Sequence, residues 1–187
     1  FGPDCLPLTR ADADLSEAHT LVPLLERLQP DAILNAAAYT DVEGAEENEA
    51  LATRINAEAP RLMALYAAKA QIPFLHVSTD YVFDGSKPTA YTETDATNPL
   101  NAYGRSKYDA EQVLRAWADE VPLTRSLTII RPTVVFGAGN RGNVDTLFRQ
   151  IAWGRFLMVG RGENRKSLAY IDNLVAFLIH TAQLGPG

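Results

Sequence analysis

HVSTDYVFDGSKPTAYTETDATNPLNAYGRSK, residues 76–107, is the stretch on which the fold turns. It begins inside a short apolar run, Ile72 to Val77 (IPFLHV), and ends inside a helical stretch, Tyr103 to Trp117. The run has no polar alternation, which suits a strand buried on both faces. Ser78 and Thr79 therefore stand at a strand's carboxyl end. Tyr103 and Lys107 are one helical turn apart, so both side chains can point into one crevice. A phenol with a pKa near 10 holds its proton too tightly to be a good acid at neutral pH, and a nearby ammonium lowers that pKa. With a hydroxyl from Thr79 or Ser78 on the same oxygen, these groups can deliver a proton to a carbonyl while hydride arrives at its carbon. A Tyr-x-x-x-Lys pair alone is common on surface helices. The Ser-Thr at a strand end and the order of the elements give this one its weight.

Outward from that stretch, two further apolar runs read as buried strands: Ala32 to Ala37 (AILNAA) and Leu127 to Phe136 (LTIIRPTVVF). Helical patterns separate them. Thr20 can cap a helix to about Leu28, with Pro23 in its first turn, where a missing N–H is tolerated. Glu43 to Ala70 is Ala-rich, and Leu51, Ile55, Leu62, Leu65 and Tyr66 recur at helical spacing, with Pro60 dividing it or opening its second half. Alternating strands and helices give an α/β fold with a parallel sheet, and ligands of such sheets bind at the strands' carboxyl ends. Glycines and basic residues crowd the chain after Gly137, and a helix follows from about Ile171 to Leu184. The predicted organisation is a Rossmann-like domain over 1–137 and a smaller substrate-side subdomain over 138–187.

Composition narrows the classes. The chain has 187 residues, 47% hydrophobic and 21% charged, as in ordinary globular proteins. Its net charge of −6 argues against a general nucleic-acid binder. A single cysteine, Cys5, excludes a disulfide framework and a Cys-based zinc site, and His19, His76 and His180 show no metal-ligand spacing. No apolar run approaches the ~20 residues that span a bilayer, and no signal peptide is visible, so a cytoplasmic protein without membrane partners is expected. His76, inside an apolar run, reads as a buried strand residue. Trp117 and Trp153 read as packing residues, and Glu43, Glu46, Glu47 and Glu49 as a solvated helical face.

Four stretches carry a resemblance to a known family: LTRADADLS (8–16), PDAILNAAAYTDVEGAEENEALATRINAEAP (30–60), residues 76–107 and RPTVVFG (131–137). Over roughly residues 8–115 the chain resembles the extended short-chain dehydrogenase/reductase family, in its dTDP-4-dehydrorhamnose reductase branch. STDYVFDG and NPLNAYGRSK are specific as a pair. The resemblance implies an NADPH- or NADH-dependent reductase of a nucleotide-diphosphate sugar, carrying hydride to the C4 keto group of a dTDP-linked 6-deoxy sugar in dTDP-rhamnose synthesis. It implies that Thr79 polarises the substrate oxygen with Ser78 as its neighbour, that Tyr103 donates the proton, and that Lys107 holds the nicotinamide ribose and tunes Tyr103. Asp80 and Tyr81 match substrate-side residues. Asn35, Ala36, Ala37 and Ala38 match a segment lining the cofactor, and Asp14 and Leu15 match the adenine-side loop. Asn56 matches an asparagine that braces the site, and Arg131 and Pro132 match the strand end near the carboxamide. No metal is implied.

Two departures shape the expectations. Family members open with a strand and a glycine-rich GxxGxxG turn whose helix N-terminus holds the pyrophosphate. No such pattern precedes residue 8, and Gly137-Ala138-Gly139 lies too late to replace it. The expected sheet is thus doubly wound but without its first βα unit, and the chain is expected to bind cofactor weakly or not at all, with a longer parent as the enzyme. The tail VGRGENRKSLAYIDNLVAFL (159–178) resembles instead nucleotide-sugar epimerases and dehydratases, in which a basic residue contacts the nucleotide diphosphate. Arg165 or Lys166 matches that residue, and a solvated basic turn is the plain alternative. An NAD-dependent 4-epimerase or dehydratase, a regulatory subunit that binds cofactor without turnover, and a homodimeric state all stay open.

Overall fold

The computed structural model describes residues 5–183 apart from 122–124, 126, 140–142, 159 and 164. The chain divides into two compact units, one running to Arg131 and one starting at Pro132.

The first unit begins with a 3₁₀ segment, Leu15–Thr20, capped by Asp14, whose carboxylate accepts from Ser16 N at 2.9 Å and Ser16 Oγ at 2.7 Å. Helix α1, Leu21–Leu28, follows directly. Thr20 precedes it as expected but does not cap it, because its hydroxyl turns back to Glu17 O at 2.8 Å. Strand β1, Ile33–Asn35, leads to the long helical stretch, which is four pieces: α2 (Val42–Glu47), α3 (Glu49–Thr53), a π-helical turn (Arg54–Glu58) and α4 (Ala59–Ala70). The first break is at Asn48, whose φ of −133° leaves the helical region. The π turn has a cause in Pro60, which has no N–H to return to the Asn56 carbonyl, so the ladder widens just before it.

Strand β2, Phe74–His76, pairs parallel to β1 with Asn35 opposite His76, and Val77 bridges Ile130 in the same sense. These are the strands of the predicted parallel sheet, and helix α5, Ala102–Asp119, follows β2 through the 77–101 loop. The core packs Leu15, Leu21 and Leu25 against Ala59, Met63 and Tyr66, and the Tyr66 hydroxyl donates to Leu25 O at 2.9 Å. It fixes α1 and α4 behind the sheet.

The second unit carries β3 (Val134–Phe136), α6 (Asn143–Ala152), β4 (Leu168–Tyr170) and α7 (Ile171–Gln183); Leu184, the expected helix end, lies outside the described residues. β3 pairs parallel with β4. The run 127–136 is therefore not one strand: Ile130 belongs with β2, and Val134–Phe136 with β4. Pro132 stands between them and cannot donate to a ladder. Among the described residues, no helix is long and apolar enough to cross a membrane.

Candidate active site at the carboxyl end of the parallel strands

Helix α5 sets the geometry. Asn101 caps it by accepting from Gly104 N at 2.7 Å, and Glu46 accepts from Ala102 N at 2.6 Å, so two N-terminal amides are satisfied before the helix bonds begin. Its buried stripe holds Ser106, Lys107, Ala110, Glu111 and Leu114, and half-buried Tyr103 stands at the same end. Gly104 allows this turn to approach the 80–82 turn: an added Cβ would run into the Tyr81 carbonyl oxygen, with Pro99 Cβ 3.1 Å away. A backbone atom cannot rotate aside. Gly104→Ala is expected to cost about 1–3 kcal/mol in urea unfolding. It is also expected to impair activity, because the α5 turn carrying Tyr103 must move.

Thr79 and Tyr103 meet. Thr79 is buried in extended backbone (φ −154°, ψ 156°), and its hydroxyl accepts from Tyr81 N at 3.3 Å, donates to Asp80 Oδ1 at 3.4 Å and stands beside the Tyr103 phenol, where it favours the ionised form. The Tyr81 ring, itself exposed, stands edge-on to Tyr103 with centroids 5.4 Å apart. Burial raises the phenol above its ordinary pKa, the Thr79 hydroxyl works against this, and the Asp80 charge adds to it. The phenol therefore keeps its proton at neutral pH. Spacing suggested that Lys107 would lower it. The Lys107 amine instead donates to Val77 O and lies 3.2 Å from His76 Nε2.

Lys107 is 2% exposed, and burial pushes its amine down from 10.5 to about 8, with Glu111 acting the other way. The unfolded chain thus binds the extra proton between pH 8 and 10.5, so stability rises with pH across that window. Burying the ammonium costs about 3 kcal/mol at neutral pH, relieved as the folded amine deprotonates. Unfolding free energies at pH 7.5 and 10 should differ in that sense, and Lys107→Met should lack this component.

Ser78 is adjacent to Thr79 but engaged elsewhere. Its hydroxyl donates to Glu111 Oε1 at 2.6 Å. Glu111 also accepts from Arg131 Nε at 2.8 Å and Nη2 at 2.6 Å, and the guanidinium lies over the Phe83 ring at 5.0 Å. Ser78 and Arg131 therefore form one buried ionic cluster, and Thr79 and Tyr103 another grouping. Pro132 opens the second unit.

The expected cofactor-lining residues follow β1. Ala36 and Ala37 are exposed, Ala38 is half-buried, and Asn35 is buried, accepting from Ala37 N at 3.1 Å. Asn56 is fully buried within the π turn. It accepts from Tyr39 N at 2.8 Å and donates to Tyr39 O at 3.0 Å and Ser106 Oγ at 2.9 Å, and Ser106 Oγ in turn donates to Tyr103 O at 2.8 Å. It ties the segment after β1 to the turn bearing Tyr103. Asp14 is held at about 2, first by Ser16 and then by Arg10, while Leu15 is a core residue. Arg165 and Lys166 are exposed in the second unit. Glu111, Ser106 and Gly104 did not emerge from the sequence. Glu111 had a signal: it continues the i, i+4 series of Tyr103 and Lys107, and an acid on a buried stripe requires a partner.

A family model described as the RmlD substrate binding domain matches residues 2–168. The chain belongs to that family. Among similar proteins, a dTDP-4-dehydrorhamnose reductase from Mycobacterium tuberculosis is 33% identical over 188 residues, 98% of this chain and 59% of the relative. The reductase likeness of this RmlD-family chain thus reaches into the tail, beyond residues 8–115. An N-acetyl-alpha-D-glucosaminyl-diphospho-ditrans,octacis-undecaprenol 4-epimerase from Escherichia coli O157:H7 is 57% identical over 86 residues, 46% of this chain and 26% of the relative. Among solved structures, the dTDP-4-dehydrorhamnose reductase of Bacillus anthracis in complex with NADP superposes with a TM-score of 0.82 at 27% identity, over 97% of this chain and 62% of that one. The RmlD-family chain spans about half the length of the curated relatives it matches.

Proposed function

We propose that the protein is an NADPH- or NADH-dependent reductase of the C4 keto group of a dTDP-linked 6-deoxy sugar. The Thr79–Tyr103 pair, a hydroxyl beside a phenol at a strand's carboxyl end, carries the reading, with Lys107 one turn further along α5. Its similarity to dTDP-4-dehydrorhamnose reductases, one of them solved in complex with NADP, supports it. The residues present fit the nicotinamide end of such a cofactor: small, exposed Ala36 and Ala37 leave backbone accessible beyond β1. When bound, the dinucleotide supplies the hydride. Thr79 holds the keto oxygen, and protonated Tyr103 donates to it as negative charge develops there. Lys107 is assigned to the nicotinamide ribose. Asn56 holds the Tyr103 turn against the segment following β1, and Ser78 and Arg131 brace the strand end through Glu111. Asp80 and Tyr81 flank the sugar. Asp14 is assigned to the adenine side, and Arg165 or Lys166 to the diphosphate.

The second reading is a sugar 4-epimerase, favoured by the 57% identity over 86 residues to the Escherichia coli epimerase. A reductase oxidises NADPH in proportion to added dTDP-4-keto-6-deoxy sugar. An epimerase shows no net consumption and retains NAD through purification, and that outcome would overturn the reductase assignment. A regulatory subunit does neither, and needs no complete Thr79, Tyr103 and Lys107 set.

A further inference from the structure

Buried Asn35 on β1, half-buried His76 on β2 and buried Lys107 on α5 form a line behind the strand ends. Its directions can be followed atom by atom. Ala37 N–H donates to Asn35 Oδ1, which leaves Asn35 Nδ2 facing His76 Nδ1 at 3.2 Å. Across the ring, His76 Nε2 lies 3.2 Å from Lys107 Nζ, which also donates to Val77 O. A neutral imidazole carries one N–H, so its two nitrogens cannot both accept or both donate.

Two arrangements give each ring nitrogen a partner, and they differ in how the Asn35 amide is turned. With Lys107 as an ammonium, Nζ donates to Nε2 and the ring proton sits on Nδ1, so the Asn35 amide must turn its Oδ1 toward the ring to accept it and let go of Ala37 N–H. With Lys107 as a free amine, Asn35 Nδ2 donates to Nδ1, and Nε2–H donates to the amine lone pair. Passing from the first to the second, one proton moves from Nζ to Nε2 and one leaves Nδ1. The ring stays neutral, and the pair loses a single proton to solvent. Burial and the Lys107 charge hold the imidazole down at about 3, so it answers the amine by tautomer, not by charge. The charged groups on this side are Lys107 itself and Glu111, which shares with His76, Ser78 and Thr128 a cavity of about 20 Å³, room for one water. Phe74 stacks on the ring, with centroids 6.1 Å apart.

We propose that His76 is a positioning residue for Lys107 whose tautomer follows the protonation of that amine, linking the Ala37–Asn35 segment to the catalytic end of α5. The proposal rests on reading Lys107 as a working amine of the site, but its test needs no turnover. The ring ¹⁵N resonances of the chain are followed by long-range ¹H–¹⁵N correlation from about pH 6 to 10, the range over which a lysine lowered to about 8 changes charge. His19 and His180 are exposed, and His76→Gln identifies the His76 signals by their loss. The expected result is Nδ1–H at the acid end, Nε2–H at the alkaline end, and a midpoint at the Lys107 titration. In Lys107→Met the Nε2–H form should persist throughout. A single tautomer across the range in the unaltered chain, or a switch that survives in Lys107→Met, overturns the proposal. A tautomer switch in a protein that never reduces a keto sugar would uphold this linkage and sink the reductase reading.

Discussion

Replacing Tyr103 by Phe is expected to lower turnover of the keto sugar by about 10²–10⁴-fold while leaving the fold intact. The phenol is a protonated acid standing beside Thr79, and the developing alkoxide needs its proton. Phe keeps the ring against Tyr81 and gives up at most one hydrogen bond, worth about 1 kcal/mol. Circular dichroism and urea unfolding should therefore match those of the unaltered protein, with the loss confined to steady-state rates. Because burial raises the phenol above its ordinary value of 10, reduction should hold through neutral pH and fall only as the phenol ionises. Activity surviving Tyr103→Phe would mean that another group delivers the proton.

Glu111→Ala is expected to have the largest effect on stability, about 3–5 kcal/mol. Glu111 is 2% exposed and receives three hydrogen bonds, two from Arg131 and one from Ser78. Removing the carboxylate leaves a guanidinium, its side chain 15% exposed, without a counter-charge. Replacing both partners, Glu111→Met with Arg131→Met, should recover most of the loss, because no uncompensated buried charge then remains. Urea midpoints of the single and double variants measure this directly. Equal losses in the single and the double variant would show that packing, not charge, holds this part of the fold.

The residues that organise the candidate site were legible to different degrees. Thr79, Tyr103 and α5 followed from an apolar run and an i, i+4 spacing, which are local signals. Asn56 was named, but its three hydrogen bonds join Tyr39 and Ser106, contacts across distant sequence that no periodicity announces. The contacts of the Lys107 amine are equally invisible to periodicity. The helix puts it on the right face, yet His76 and Val77 on the neighbouring strand take its amine. The continuous apolar pattern 127–136 hid a change of partner at Pro132, since apolarity reports burial and not which strand is paired. His76 reads as a buried strand residue; it is a strand residue with both ring nitrogens engaged, but only half-buried. What the sequence did not tell is that one of its partners is the lysine.

The proposed reduction needs a phenol and a threonine hydroxyl on one carbonyl oxygen while hydride reaches the adjoining carbon. The direct measurement is reduction of a dTDP-4-keto-6-deoxy sugar with NADPH carrying deuterium at the transferable position. One deuterium at C4 of the sugar per cofactor oxidised is the expected result. Sugar product free of deuterium, with the label still in the cofactor, would contradict it.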